Sequence, residues 1–99
     1  MIRHIVFFKM NESTGGGETR GLAEDLKALK SATGGLMKEC VVGFDVVHAE
    51  NSYDLALNSL FDNLADLEKY RVHPEHVKVV EKIKKLCSST AKIDYEEVR

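Results

Sequence analysis

The stretch Tyr70 to Val80 reads YRVHPEHVKVV and holds a tyrosine, two of the chain's four histidines and its only proline. An imidazole exchanges a proton near neutral pH because its unperturbed pKa is about 6.5. General acid–base help of this kind contributes roughly 10²–10⁴-fold. A phenol one helical segment earlier is placed to hold an enolate oxygen or to orient the imidazole. His76 and Tyr70 are therefore the candidate catalytic pair, set against a structural reading in which His76 caps a helix or packs on a sheet. His73 precedes Pro74 and is pushed away from helical dihedrals, which suits a cap or a bond to a loop carbonyl; it is also carried as a candidate substrate contact. A zinc pair on a helix sits four residues apart so that both imidazoles face one way. Here the spacing is three, a proline interrupts it, Glu75 should point elsewhere and no third ligand is apparent. No metal and no cofactor are expected.

His4 sits in a β-branched and aromatic run, IRHIVFFKM, on the face that also carries Val6, Phe8 and Met10. If that face lies inside a barrel, its polar group must find a partner or a ligand. Leu55, Leu57 and Ser59 alternate along a second such run and would share the same interior. His4, Val6, Phe8, Leu55, Leu57 and Ser59 thus join His73 as candidate substrate-binding residues. GGGETRG, Gly15 to Gly21, fails as a phosphate loop: Leu22 and Ala23 stand where Lys and Ser/Thr are required. No Ser-His-Asp or Cys-His nucleophile arrangement can be assigned.

The elements that must position these groups follow from periodicity. Ile2 to Met10 reads as a strand with apolar residues on both faces. From Glu18, Leu22, Ala23, Leu26 and Leu29 recur at helical spacing, and Gly34 and Gly35 stop the helix. Lys38 to His48 is a second strand, with Gly43 a candidate bulge, and Tyr53 to Phe61 a third. Asn63 is a good N-cap for the next helix. Pro74, at a favoured first position, starts a further helical segment after a break at His73. Thr90 to Val98 closes the chain as a strand with Ala91, Ile93 and Tyr95 on one side.

The order β-α-β-β-α-β is the ferredoxin-like arrangement, α+β with both helices on one face of a four-stranded antiparallel sheet. A sheet covered on one face should alternate apolar and polar residues, and this one does not. Val41 and Val47 oppose Val42, Phe44 and Val46, while Ala56 and Leu60 oppose Leu55 and Leu57. With no spare helix, a second copy of the same sheet is the simplest cover. The expectation is a homodimer through the open sheet face, a dimeric α+β barrel.

Composition bounds the rest. Ninety-nine residues suit one domain, 1–99, with one modest core. A net charge of −2 gives no basic face for nucleic acid or anionic lipid. Lys78, Lys82, Lys84 and Lys85 interleave with Glu75 and Glu81, a solvated helix face. The N-terminal apolar run Ile5 to Phe8 is too short to export the chain or span a membrane. With Cys40 and Cys87 unpaired, a reducing cytoplasm is expected.

RHIVFFKM, LKALKSATGGLMKECVVGFDV, YDLALNSLFDNLADLEKYRVHPEHVKVVEKIKKL and AKIDYEE together resemble the stress-responsive A/B barrel domain (Dabb) family over nearly the whole chain. The resemblance implies the same dimeric ferredoxin-like fold. One plant branch with this motif, the olivetolic acid cyclases, closes a linear polyketide by aldol condensation. Its acid–base pair corresponds to Tyr70 and His76, and a pocket histidine to His4. Aromatic cavity walls of that branch fall on Ala23, Glu24, Lys27 and Cys87, a departure that argues against the polyketide substrate. Two functions follow as expectations. One is a cavity for a small apolar organic molecule, with cyclase-, isomerase- or lyase-like proton transfer; the other is a noncatalytic dimer whose histidines cap and pack. The cofactor-free monooxygenases of related architecture are a weaker third, since the chain has no tryptophan and no clear match to their site.

Overall fold

A computed structural model describes residues 1–98. The elements run β1 (Ile2–Met10), α1 (Gly16–Ala32), β2 (Met37–Phe44), β3 (Leu55–Phe61), α2 (Leu64–Arg71), α3 (Pro74–Leu86) and β4 (Cys87–Glu96). The strands form one antiparallel sheet in the order β2-β3-β1-β4. This is the expected ferredoxin-like fold.

Local chemistry explains the boundaries. The Gly15 N–H donates to Glu18 Oε1 at 3.1 Å, starting α1 two residues before the expected Glu18. Gly34 and Gly35 follow its end with φ of 70° and 85°, left-handed values that a side chain resists. The Asn63 side chain accepts from the Asp66 N–H at 2.8 Å and so caps α2. Between α2 and α3 the chain breaks as expected: His73 is extended, its Nδ1 accepts from the Glu75 N–H at 3.1 Å, and Pro74 opens α3.

Three expectations need correction. β2 ends at Phe44, because the Asp45 carboxylate accepts from the Val47 and His48 N–H groups and turns the chain. The irregularity in β2 lies between Met37 and Glu39, whereas Gly43 pairs in register with Ala56. β3 and β4 are displaced, starting at Leu55 and Cys87 rather than Tyr53 and Thr90.

Leu22, Leu26 and Leu29 of α1, Leu67 and Tyr70 of α2, and Val79 of α3 cover one sheet face and bury Phe8, Leu55, Leu57 and Phe61. Alternation along β1 sends Ile5 and Phe7 to the other face. There Phe7, Val41, Ile93 and Tyr95 remain exposed, at 43%, 65%, 56% and 40%. The sheet is apolar on both sides and its own helices cover only one.

Candidate active site

The site lies between the helix layer and the sheet. The face of β1 that carries His4, Val6 and Phe8 is the helix-covered side, not the open face that a barrel-interior reading of those residues would suggest. A cavity of about 200 Å³ opens here. Val6, Phe8 and Leu57 line it from the sheet, and Leu26, Val80 and Ile83 from the helices. Its polar lining comes from His4, Tyr70, Arg71, His76, Thr90 and Lys92.

The break at His73 makes this convergence possible. In one continuous helix, residues six apart point about 120° away from each other. Tyr70 closes α2 and His76 opens α3, so the change of axis turns both rings to the same cavity. Their ring centroids are 4.4 Å apart, and His4 stands edge-on to Tyr70 at 6.2 Å. Phe61 backs the cluster, 5.0 Å from Tyr70 and 6.2 Å from His4.

Each site histidine is fixed through one nitrogen. His76 Nδ1 donates to the Arg71 carbonyl at 2.9 Å, since a carbonyl oxygen can only accept. Neutral His76 therefore keeps its lone pair on Nε2, the arrangement of a base. Burial pulls the His76 pKa below its ordinary value; the Arg71 carbonyl bond opposes this, while His4, Arg71 and His73 add to it. The imidazole is thus neutral and proton-accepting at neutral pH. Tyr70 is 1% exposed, and burial, with Cys40 nearby, pushes its pKa far upward. It stays a phenol and serves as a hydrogen-bond donor.

His4, 6% exposed, bonds through Nδ1 to Asp94 Oδ1. Burial raises the Asp94 carboxyl, but the His4 bond and charge, together with Lys92, outweigh it and hold the group below the ordinary carboxylate range. Lys92 Nζ reaches the other oxygen, Asp94 Oδ2, at 3.2 Å. One carboxylate thus serves two basic groups from behind.

Of the nine candidates, His4, Val6, Phe8, Leu57, Tyr70 and His76 line the cavity, whereas Leu55, Ser59 and His73 do not. Leu55 is core. Ser59 is fully buried and donates to the His4 carbonyl at 3.0 Å, joining β3 to β1. His73 spends its Nδ1 on the α3 cap. Arg71, Thr90, Lys92 and Asp94 escaped the sequence reading. Asp94 faces His4 only because β4 pairs with β1 in a register that places them opposite each other. Ala23, Glu24, Lys27 and Cys87, where the cyclase branch has aromatic walls, lie outside the lining.

The family model of the stress responsive A/B barrel domain matches residues 2–97. The chain belongs to this family. An uncharacterized protein of Streptomyces coelicolor is 37% identical to this Dabb chain over 81 residues, 77% of this chain and 79% of that protein. A dimeric ferredoxin-like protein of unknown function from Bacteroides fragilis superposes with a TM-score of 0.84 at 31% identity, covering 97% and 95% of the two chains. The hydroxynitrile lyase of Passiflora edulis has a TM-score of 0.85 at 20% identity, with 95% and 90% covered. At that identity the likeness concerns the fold. No helix among the described residues of this Dabb protein is long and apolar enough to cross a membrane.

Proposed function

We propose that this Dabb protein is a homodimer closed through its open sheet face, and that each subunit uses its cavity for proton-transfer chemistry on a small organic molecule. The observation that carries the reading is the juxtaposition of Tyr70 and His76, at 4.4 Å between ring centroids, over a largely apolar cavity. His76 Nε2 takes a proton from an acidified carbon or hydroxyl of the ligand. The Tyr70 phenol donates to the oxygen on which charge develops. His4, braced by Asp94, supplies the second imidazole. The proton then leaves His76 for another atom of the same ligand: a second carbon in an isomerisation, the alkoxide formed as a carbon–carbon bond closes in a cyclisation, or the departing group as a carbonyl forms in a lyase step, with no net oxidation.

The cavity of about 200 Å³ is below the roughly 300–1,000 Å³ of sites for drug-sized ligands, so the substrate is small. The plant hydroxynitrile lyase on the same fold is consistent with a lyase-type step. The dimer reading rests on the apolar open face and on the dimeric Bacteroides protein. Patches of that kind on soluble proteins are interaction surfaces.

A thermal-shift screen of small carbonyl and hydroxy compounds identifies ligands by their stabilisation of the folded state. His76→Ala and Tyr70→Phe are then expected to remove turnover, or to weaken binding about tenfold or more, with the dimer intact by sedimentation. Retained turnover in both variants would take the chemistry away from this pair, and ligand binding without turnover in the unaltered protein would leave the noncatalytic dimer as the reading. Loss of folding in both would assign the pair to packing.

A further inference from the structure

The cavity's lining has an unusual charge balance. Four of its side chains are basic, His4, Arg71, His76 and Lys92, and among the described residues no carboxylate lines it. The neutralising carboxylates stand outside the lining. Glu68 takes Arg71 Nη1 at 2.8 and 3.1 Å, and Asp94 takes His4 and Lys92. Lys92 and Arg71 are about half exposed, at 56% and 50%, and so occupy the rim, while the imidazoles and the apolar wall lie deeper. The contrast with the larger groove between the β1–α1 and β2–β3 connections is informative. That groove, lined in part by Lys9, Arg20 and His48, also carries Glu12, Asp45 and Asp54. Arg71 and Lys92 each keep N–H donors beyond those spent on Glu68 and Asp94, and with no carboxylate among the described lining residues to repel it, an anion is favoured there.

The geometry points to a small amphipathic monocarboxylate as the ligand class, its carboxylate at Lys92 and Arg71 and its apolar body against Val6, Phe8, Leu57 and Ile83. This rests on the cavity being the functional site and specifies what the cavity takes. Both cations line the one cavity, and a carboxylate offers an oxygen to each. The cavity of about 200 Å³ leaves no room for a nucleotide-sized anion. A carboxylate held at the rim would leave the deeper carbon atoms of the ligand at the Tyr70–His76 pair.

The test uses the intact protein and two probes of matched shape, phenylacetate and phenylacetamide, titrated by calorimetry at pH 7 in low salt. Phenylacetate is expected to bind about tenfold or more tightly than the amide. That preference should shrink as salt is added, disappear in Lys92→Met, weaken in Arg71→Gln and return in Lys92→Arg. Equal binding of acid and amide, or an undiminished preference in Lys92→Met, overturns the charge assignment and leaves the cavity reading standing. Binding of neither phenylacetate nor phenylacetamide at millimolar concentration overturns the inference. If the thermal-shift screen also yields no neutral ligand, the functional-cavity reading falls separately.

Discussion

At the scale of single residues, the chemistry turns on which nitrogen of each histidine is free. The Arg71 carbonyl engages His76 Nδ1 and Asp94 engages His4 Nδ1, so Nε2 is the nitrogen left to meet a ligand in each ring. Burial, the largest influence on His76, disfavours its imidazolium. The folded protein therefore binds that proton less readily than the unfolded chain. Above the ordinary histidine value of about 6.5 this costs nothing; as pH falls from there toward the lowered folded pKa, stability is lost. Asp94 acts lower on the scale. Its depressed pKa contributes stability that is present above the ordinary carboxylate range and is lost as pH falls through the folded value. The ring Cε1 proton of His76, followed by NMR, should titrate with a midpoint below about 6.5. A midpoint at or above that value would remove burial as the controlling influence. For a reaction in which His76 is the base, activity should persist below pH 6.5 and fall only on the acid side of the same midpoint.

At the scale of elements, the joint between α2 and α3 organises the site. It was legible in the sequence because proline restricts both itself and its predecessor, and His73 is extended with its side chain on the Glu75 N–H. Its cap role makes His73→Ala a stability variant, expected to cost about 1 kcal/mol in chemical denaturation. Asn63→Ala, which removes the α2 cap, should cost a similar amount. A loss of catalysis in His73→Ala without loss of stability would return that histidine to the chemistry. The succession of elements along the chain and the one-sided helix layer were also legible, from the two periodicities of apolar residues. The partners of His4 were not. Asp94 meets it through strand register, with Lys92 on the far oxygen of Asp94, and a one-residue shift would exchange one set of β4 side chains for the other. Nor did apolar alternation distinguish Ser59 as a strand tie from Ser59 as a ligand contact, because a buried hydroxyl satisfies either description until its acceptor is known. The early end of β2 depended on Asp45 accepting two backbone N–H groups, a local competition invisible to a pattern of valines.

At the scale of the molecule, β1 is central and works on both sides. One face presents His4, Val6 and Phe8 to the cavity; the other presents Ile5 and Phe7 to the open surface with Val41, Ile93 and Tyr95. Ile93→Asp places a charge on that surface, beside Ile5 of β1, and should turn the proposed dimer into a monomer, read by sedimentation at micromolar concentration. An unchanged mass would move the interface elsewhere. Ile93 lies opposite Ile5 across β4 and β1, so the same variant should leave helix content largely intact by circular dichroism.

A strand with apolar residues on both sides carries an ambiguity of its own. Sliding β1 by one position would still bury hydrophobic side chains on each face, but would exchange Ile5 for His4 in the cavity. Hydrophobicity discriminates poorly between these alignments, so directional bonds must do so. The Ser59 hydroxyl on the His4 carbonyl, and Arg3 between Asn58 and Glu97, act as locating pins for the correct alignment. The fully buried serine then has a part in folding fidelity: it holds the one alignment in which the histidine reaches the cavity.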